Sequence, residues 1–127
     1  MDNLKGVIAL AFLYLIALLP WRAVQLLGHF IGWLSWITPN KSKEVARINL
    51  THCFPELDSA AIDQRTRKSL INIGKTFTES ACAWIWPAEK PLRLVRSVEG
   101  LEVIEQALAE GKAVVGITSH LGNWEVL

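Results

Sequence analysis

Charge of one sign is what this chain lacks most clearly: 13 Lys and Arg stand against 12 Asp and Glu, a net charge of +1 over 127 residues. No basic run stands out either, so the sequence offers none of the positive field that nucleic-acid binding requires. Cysteine is scarce. The two present, Cys53 and Cys82, lie far apart and form no Cys-x-x-Cys pair. That excludes a disulfide-dense secreted scaffold and leaves two free thiols in a reducing compartment as the default. His52 is adjacent to Cys53 rather than spaced from it as a metal-ligand pair would be, so no metal site is read there. Repeats, low-complexity tracts and Gly/Ser linkers are missing as well, and the length fits one domain at most.

What the chain has instead is apolar bulk. It is 51% hydrophobic, only 20% charged, and carries six Trp, with a mean hydropathy of +0.28. Trp gathers at membrane–water interfaces, so this composition suits contact with a bilayer. It suits a Trp-rich soluble core equally well.

The N-terminal segment shifts that balance. No charged residue occurs from Gly6 to Trp21, with Lys5 before the run and Pro20, Trp21 and Arg22 closing it. The run is slightly short of the ~17–25 apolar residues of a spanning helix. A cleaved signal peptide does not fit, because Leu18-Leu19-Pro20-Trp21 offers no small-residue cleavage site. A buried helix of a soluble domain and a membrane anchor, spanning or steeply embedded with Trp21 and Arg22 at the interface, remain, and the anchor is the favoured reading. Arg22, Lys41, Lys43 and Arg47 all follow it, which puts the remainder on the cytoplasmic side by the positive-inside rule. A second uncharged stretch runs from Ala23 to Asn40, interrupted by isolated polar groups such as Gln25 and His29. Its Leu26, Leu27, Phe30, Ile31, Leu34 and Ile37 recur at helical spacing, as in an amphipathic helix on the membrane or against the domain. Residues 1–38 are thus expected to form the anchor and amphipathic helix, and residues 39–127 the N-terminal part of the domain that follows.

Pro39-Asn40 breaks the pattern, and Asn40 is placed to cap a helix running to about Cys53. Phe54-Pro55-Glu56 ends it, and Asp58 or Ser59 caps a long helix to about Trp84. Ile62, Leu70, Ile73, Phe77, Ala81 and Trp84 mark its apolar face, with Arg65, Arg67 and Lys68 mostly opposite as a solvated surface or a contact for anionic headgroups. Pro87 and Pro91 bracket a turn, and residues 92–98 read as a short strand. Gly100 precedes a compact helix over 101–110 that Gly111 stops. Residues 113–117, rich in β-branched side chains, read as a buried parallel strand. The fold class predicted is therefore α/β, with helices first and then the start of a sheet. The closing motif would lie beyond the C-terminal end of a strand, where open α/β sheets place ligand sites.

That motif is His120-Leu121-Gly122-Asn123-Trp124-Glu125. A turn through Leu121-Gly122-Asn123 would return the Glu125 carboxylate to the His120 imidazole. Such an imidazole can take a proton from an attacking hydroxyl, because its pKa lies near working pH. The carboxylate would fix its tautomer and balance the imidazolium. Ser119 is a poor nucleophile candidate, since adjacent residues rarely present their side chains to each other and no nucleophile elbow is visible. By itself the spacing is common, and an ordinary loop histidine with a first-turn glutamate explains it as well.

The wider pattern decides. Leu19-Pro20 with Leu27-Gly28, Arg47-Ile48-Asn49-Leu50, Cys53-Phe54-Pro55-Glu56, Glu79, Val98-Glu99-Gly100-Leu101-Glu102 and the closing run occur in one order along the whole chain. In that order the chain resembles the N-terminal part of the lipid A biosynthesis acyltransferases, the late lauroyl and myristoyl transferases of the lysophospholipid acyltransferase-like superfamily. Leu121 departs mildly from it, standing where the family often has Phe. The resemblance implies a membrane anchor and an acyltransferase-type α/β domain at the cytoplasmic face of the bacterial inner membrane. It implies acyl carrier protein, a Kdo-bearing lipid A precursor and membrane lipids as partners, and no cofactor. His120 would be the general base and Glu125 its orienting partner. Family members run to roughly twice this length, so the chain is expected to be an N-terminal portion without robust activity of its own. Two other readings stay open: acyl transfer to a lysophospholipid, an ornithine lipid or a glycolipid mannoside, and a catalytically inactive membrane-associated fragment.

Overall fold

A computed structural model of the chain describes residues 2–117. Six helices follow one another: α1 (Asp2–Ala17), α2 (Trp21–Ile37), α3 (Lys41–Cys53), α4 (Ser59–Ile85), α5 (Glu89–Leu92) and α6 (Leu101–Ala109). Local chemistry sets their ends. Asn40 Oδ1 accepts from the Lys43 amide at 2.9 Å to start α3, while its side-chain NH₂ donates back to the Ser35 carbonyl of α2 at 2.7 Å. One side chain therefore satisfies an orphan donor of one helix and a late carbonyl of another. Lys43 adds a second tie, donating to the Trp36 carbonyl at 2.8 Å and lying 4.3 Å from the Trp36 ring centroid. Asp58 caps α4 by accepting from the Ala61 amide at 2.7 Å. Gly100 and Gly111 flank α6 at φ +80° and +71°, left-handed values that suit glycine.

The centre of the molecule is the seam between α2 and α4. Val24 meets Thr78, Gly28 meets Gly74 and Gly32 meets Leu70, so the two helices run antiparallel. The seam is built from small residues. A methyl group on Gly28 would sit 2.6 Å from Lys75 Cα, and one on Gly74 would sit 2.7 Å from the Gly32 nitrogen. Only glycine lets two backbones approach so closely. Thr78 Oγ1 donates across the seam to the Val24 carbonyl at 3.1 Å, while also lying 2.9 Å from the Lys75 carbonyl of its own helix. The buried side of α4 is accordingly Ile62, Thr66, Leu70, Gly74, Thr78, Ala81 and Cys82.

At the far end of the seam, Ile16, Val24, Ala81 and Cys82 form the apolar core, with Leu13, Trp21, Leu27 and Trp86 packed against it. The Trp86 indole N–H donates to the Ala17 carbonyl at 2.7 Å and so pins the end of α1 to the end of α4. Near the start of α4, α3 is held through Arg47, whose Nε reaches Asp63 at 2.9 Å and whose Nη2 donates to Ser59 at 3.1 Å.

Two expectations require correction. The α/β class does not hold, because among the described residues there are helices and no strand. Leu92 closes α5, residues 93–98 are turn and irregular chain, and the expected buried strand at 113–117 has Val115 84% and Ile117 97% exposed. A strand exists only through a ladder to a neighbour, and β-branched composition cannot supply one. Neither segment finds a partner among the described residues.

The spanning anchor does not hold either: no helix among the described residues is long and apolar enough to cross a membrane. α1 has 16 residues, about 24 Å at 1.5 Å per residue, against a hydrocarbon core of about 30 Å. Pro20 precedes α2, and Ile16 and Ala17 are buried in the core at the end of α1.

Candidate functional site

The residues with catalytic promise in the sequence, His120 and Glu125, lie outside the described residues, and so does Ser119. The two other histidines are exposed, His29 on α2 and His52 on α3. The described part of the chain instead presents a pocket at the end of the α2–α4 seam.

Three elements build it. The break at Pro20 starts α2 at Trp21, which brings that indole over the last turns of α4. From α4 come Glu79, Cys82 and Ala83, and Trp86 follows its last residue. Pro91 of α5 and the succeeding Leu94 and Val95 close the remaining side. The cavity measures about 170 Å³. The Trp21 and Trp86 rings, with centroids 6.2 Å apart and planes tilted by 52°, form one corner. Lys90 Nζ lies 3.7 Å from the Trp86 centroid, so its charge rests on the outer aromatic wall.

Glu79 is the one acidic residue in this lining. Its Oε1 accepts a hydrogen bond from Gln25 Nε2 of α2. That bond ties the carboxylate to the facing helix across the seam. Among the described residues Oε2 has no such donor. Cys82 forms part of the floor and is 2% exposed. Burial pushes its thiol up, Lys90 pulls it back, and Glu79 adds to the rise. A thiol held above its ordinary range stays protonated at neutral pH and is a weak nucleophile. The pocket therefore offers apolar walls and one hydrogen-bond acceptor, which is binding chemistry rather than bond-breaking chemistry.

Sequence reasoning noticed Gln25 and Glu79 without joining them. The signal was there in part. Gln25 interrupts an uncharged stretch, and Glu79 is the sole charged residue between Lys75 and Glu89. Isolated polar side chains on apolar faces usually find each other when buried. Trp21, Trp86 and Leu94 carry no comparable signal, because they meet only through the turns after α1 and α4.

Comparison with known proteins bears on the whole chain. Residues 4–127 match the family model described as bacterial lipid A biosynthesis acyltransferase, a stretch that includes His120 and Glu125. The chain is 26% identical over 117 residues to the lipid A biosynthesis palmitoleoyltransferase of Escherichia coli (strain K12), covering 92% of this chain and 38% of that protein. It is 28% identical to a lipid A biosynthesis acyltransferase of Haemophilus influenzae, covering 78% of this chain and 32% of that one. With the lipid A biosynthesis lauroyltransferase of E. coli K12 the identity is 24%, over 94% and 39%. The chain thus spans less than two fifths of the length of these curated relatives. No solved structure matches it.

Proposed function

The chain belongs to the bacterial lipid A biosynthesis acyltransferase family, and from that premise we propose that the intact protein moves a fatty acyl chain from acyl carrier protein to a hydroxyl of a Kdo-bearing lipid A precursor. The observation that carries this reading is the family match, whose bounds, residues 4–127, take in the His120-to-Glu125 motif. In the proposed reaction His120 takes the proton of the acceptor hydroxyl as its oxygen attacks the thioester carbonyl. The C–S bond then breaks, and the imidazolium returns the proton to the departing thiolate. Glu125 holds the imidazole in the tautomer that leaves one ring nitrogen free as base, and it balances the transient positive charge. No covalent acyl-enzyme and no cofactor are needed, since base, positioning and an oxyanion donor suffice for direct transfer.

The helical part contributes to the same reading by what it exposes. Leu4, Val7, Ile8, Leu15 and Leu18 of the α1 arm and Leu26 and Phe30 of α2 are more than half exposed. Apolar helix faces of this kind rest on lipid, with the hydrocarbon replacing water at the exposed side chains. Membrane lipids are thus the proposed surface for the protein, at the cytoplasmic face of the inner membrane, where acyl carrier protein would reach it.

Mass spectrometry of lipid A from cells with and without the intact protein tests the assignment. Loss of one acyl chain from lipid A is the expected outcome. Unchanged lipid A would exclude this substrate and leave transfer to another lipid acceptor.

A further inference from the structure

The transfer chemistry proposed above assigns no role to the residues that line the pocket at the end of the α2–α4 seam. We propose that it binds a short, uncharged alkyl chain ending in a hydroxyl, with about six carbons packed against Trp21 and Trp86 and the hydroxyl donating to Glu79 Oε2.

Size sets the length of the guest. At about 170 Å³, the cavity is on the scale of one of about 150 Å³ that admits a benzene ring. Wall chemistry sets its polarity: indole, Leu94, Val95 and Pro91 surround one carboxylate. A plain hydrocarbon would leave the Glu79 carboxylate with the Gln25 donor alone, whereas a hydroxyl supplies a second one.

Charge decides among the polar end groups. Glu79 is the one charged side chain in the lining, and Lys90 stays outside it against the Trp86 ring. An anionic guest meets the like charge of the carboxylate, and an ammonium must shed its hydration among apolar walls for a single carboxylate that Gln25 already engages. A neutral hydroxyl avoids both costs. The pocket is also held in shape before any guest arrives, since the Gln25–Glu79 bond and the Trp86–Ala17 bond fix two of its walls. This inference stands apart from the transfer reaction, because it is read by binding alone.

The test uses 6-bromohexan-1-ol, whose bromine quenches indole fluorescence at short range, with hexan-1-ol, hexane, hexanoate and hexylammonium as competitors. Saturable quenching is expected, relieved by hexan-1-ol, with hexanoate and hexylammonium competing at least tenfold more weakly. Ala83→Leu, which fills the cavity from the α4 side, should weaken the probe at least tenfold. Glu79→Met should erase the preference for hexan-1-ol over hexane. Quenching that never saturates, equal competition by the charged compounds, or unaltered binding in a folded Ala83→Leu protein would overturn the proposal. Should Ala83→Leu fail to fold by circular dichroism, the wild-type series decides: hexane competing as well as hexan-1-ol counts against the carboxylate's role.

Discussion

The α2–α4 seam and the stretch from α6 to Ile117 are both apolar, yet they are built on opposite terms. On the α2 side of the seam the large side chains point away. Val24, Gly28 and Gly32 face inward on α2, while Leu26, Phe30, Leu34 and Ile37 remain exposed. Small residues let two backbones meet, and the contact is dense because nothing stands between them. α6 carries Leu101, Val103, Ile104 and Leu108, a clear apolar complement, and buries none of its residues among the described ones. Hydrophobicity alone therefore does not locate a core. Shape complementarity within reach of the chain does, and the seam has it while α6 does not.

Substitutions can break that contrast, beginning with the largest effect. Gly32→Leu should destabilise the bundle by about 3 kcal/mol, at the upper end of ordinary overpacking. A Cβ there would lie 2.8 Å from the Ile71 nitrogen, and backbone cannot step aside as a side chain can. Thermal melting followed by circular dichroism checks this; a melting point near wild type would mean that the seam is looser than described.

Thr78→Val keeps the shape and removes the hydroxyl that reaches the Val24 carbonyl. About 1 kcal/mol should be lost, measured by urea unfolding. Asp58→Ala, which deletes the α4 cap, belongs in the same range of about 1 kcal/mol. At the small end, Arg47→Ala breaks an exposed pair with Asp63 and should cost no more than about 0.5 kcal/mol, with most of that loss gone in high salt. Val103→Gln on α6 should leave the melting point unmoved, and a clear drop would reveal packing that the described structure does not contain.

The two thiols sharpen the same comparison chemically. Cys53 is exposed and Cys82 buried, and burial pushes the Cys82 thiol up. Maleimide at neutral pH should label Cys53 rapidly and Cys82 only as the bundle opens. The sign for stability follows. Because the folded thiol titrates above its unfolded value, the stability associated with it is intact below the ordinary thiol range and falls as the pH rises through the folded value.

Helix ends were the most legible feature of the sequence, because caps are local. Asn40, Asp58, Gly100 and Gly111 each mark a boundary within a residue or two of the observed one. The inner faces were less so. On α4 the expected apolar face was right at Ile62, Leu70 and Ala81, which are buried, but Ile73, Phe77 and Trp84 are more than half exposed. The buried stripe also takes in Thr66, Gly74 and Thr78, whose small size is the point and whose hydropathy gives no hint of it. Gly28 and Gly32 on α2 are four apart, a spacing that permits close helix approach, and large neighbours masked it. The two strands were over-read for a different reason. Helical hydrogen bonds close within the segment itself, whereas a strand needs a neighbour whose position no local pattern specifies. The pocket shares that difficulty, since Trp21 and Glu79 are remote in sequence and meet only because the seam is antiparallel.

The measurement that bears most directly on function is acyl transfer by the intact protein, from acyl carrier protein to the lipid A precursor, in wild type and in His120→Ala. With His120 as the general base, the variant should lose a factor of about 10²–10⁴ in turnover, while its melting point and its association with lipid vesicles stay at wild-type values. Wild-type turnover in a folded His120→Ala protein would contradict the assignment of His120 as the base.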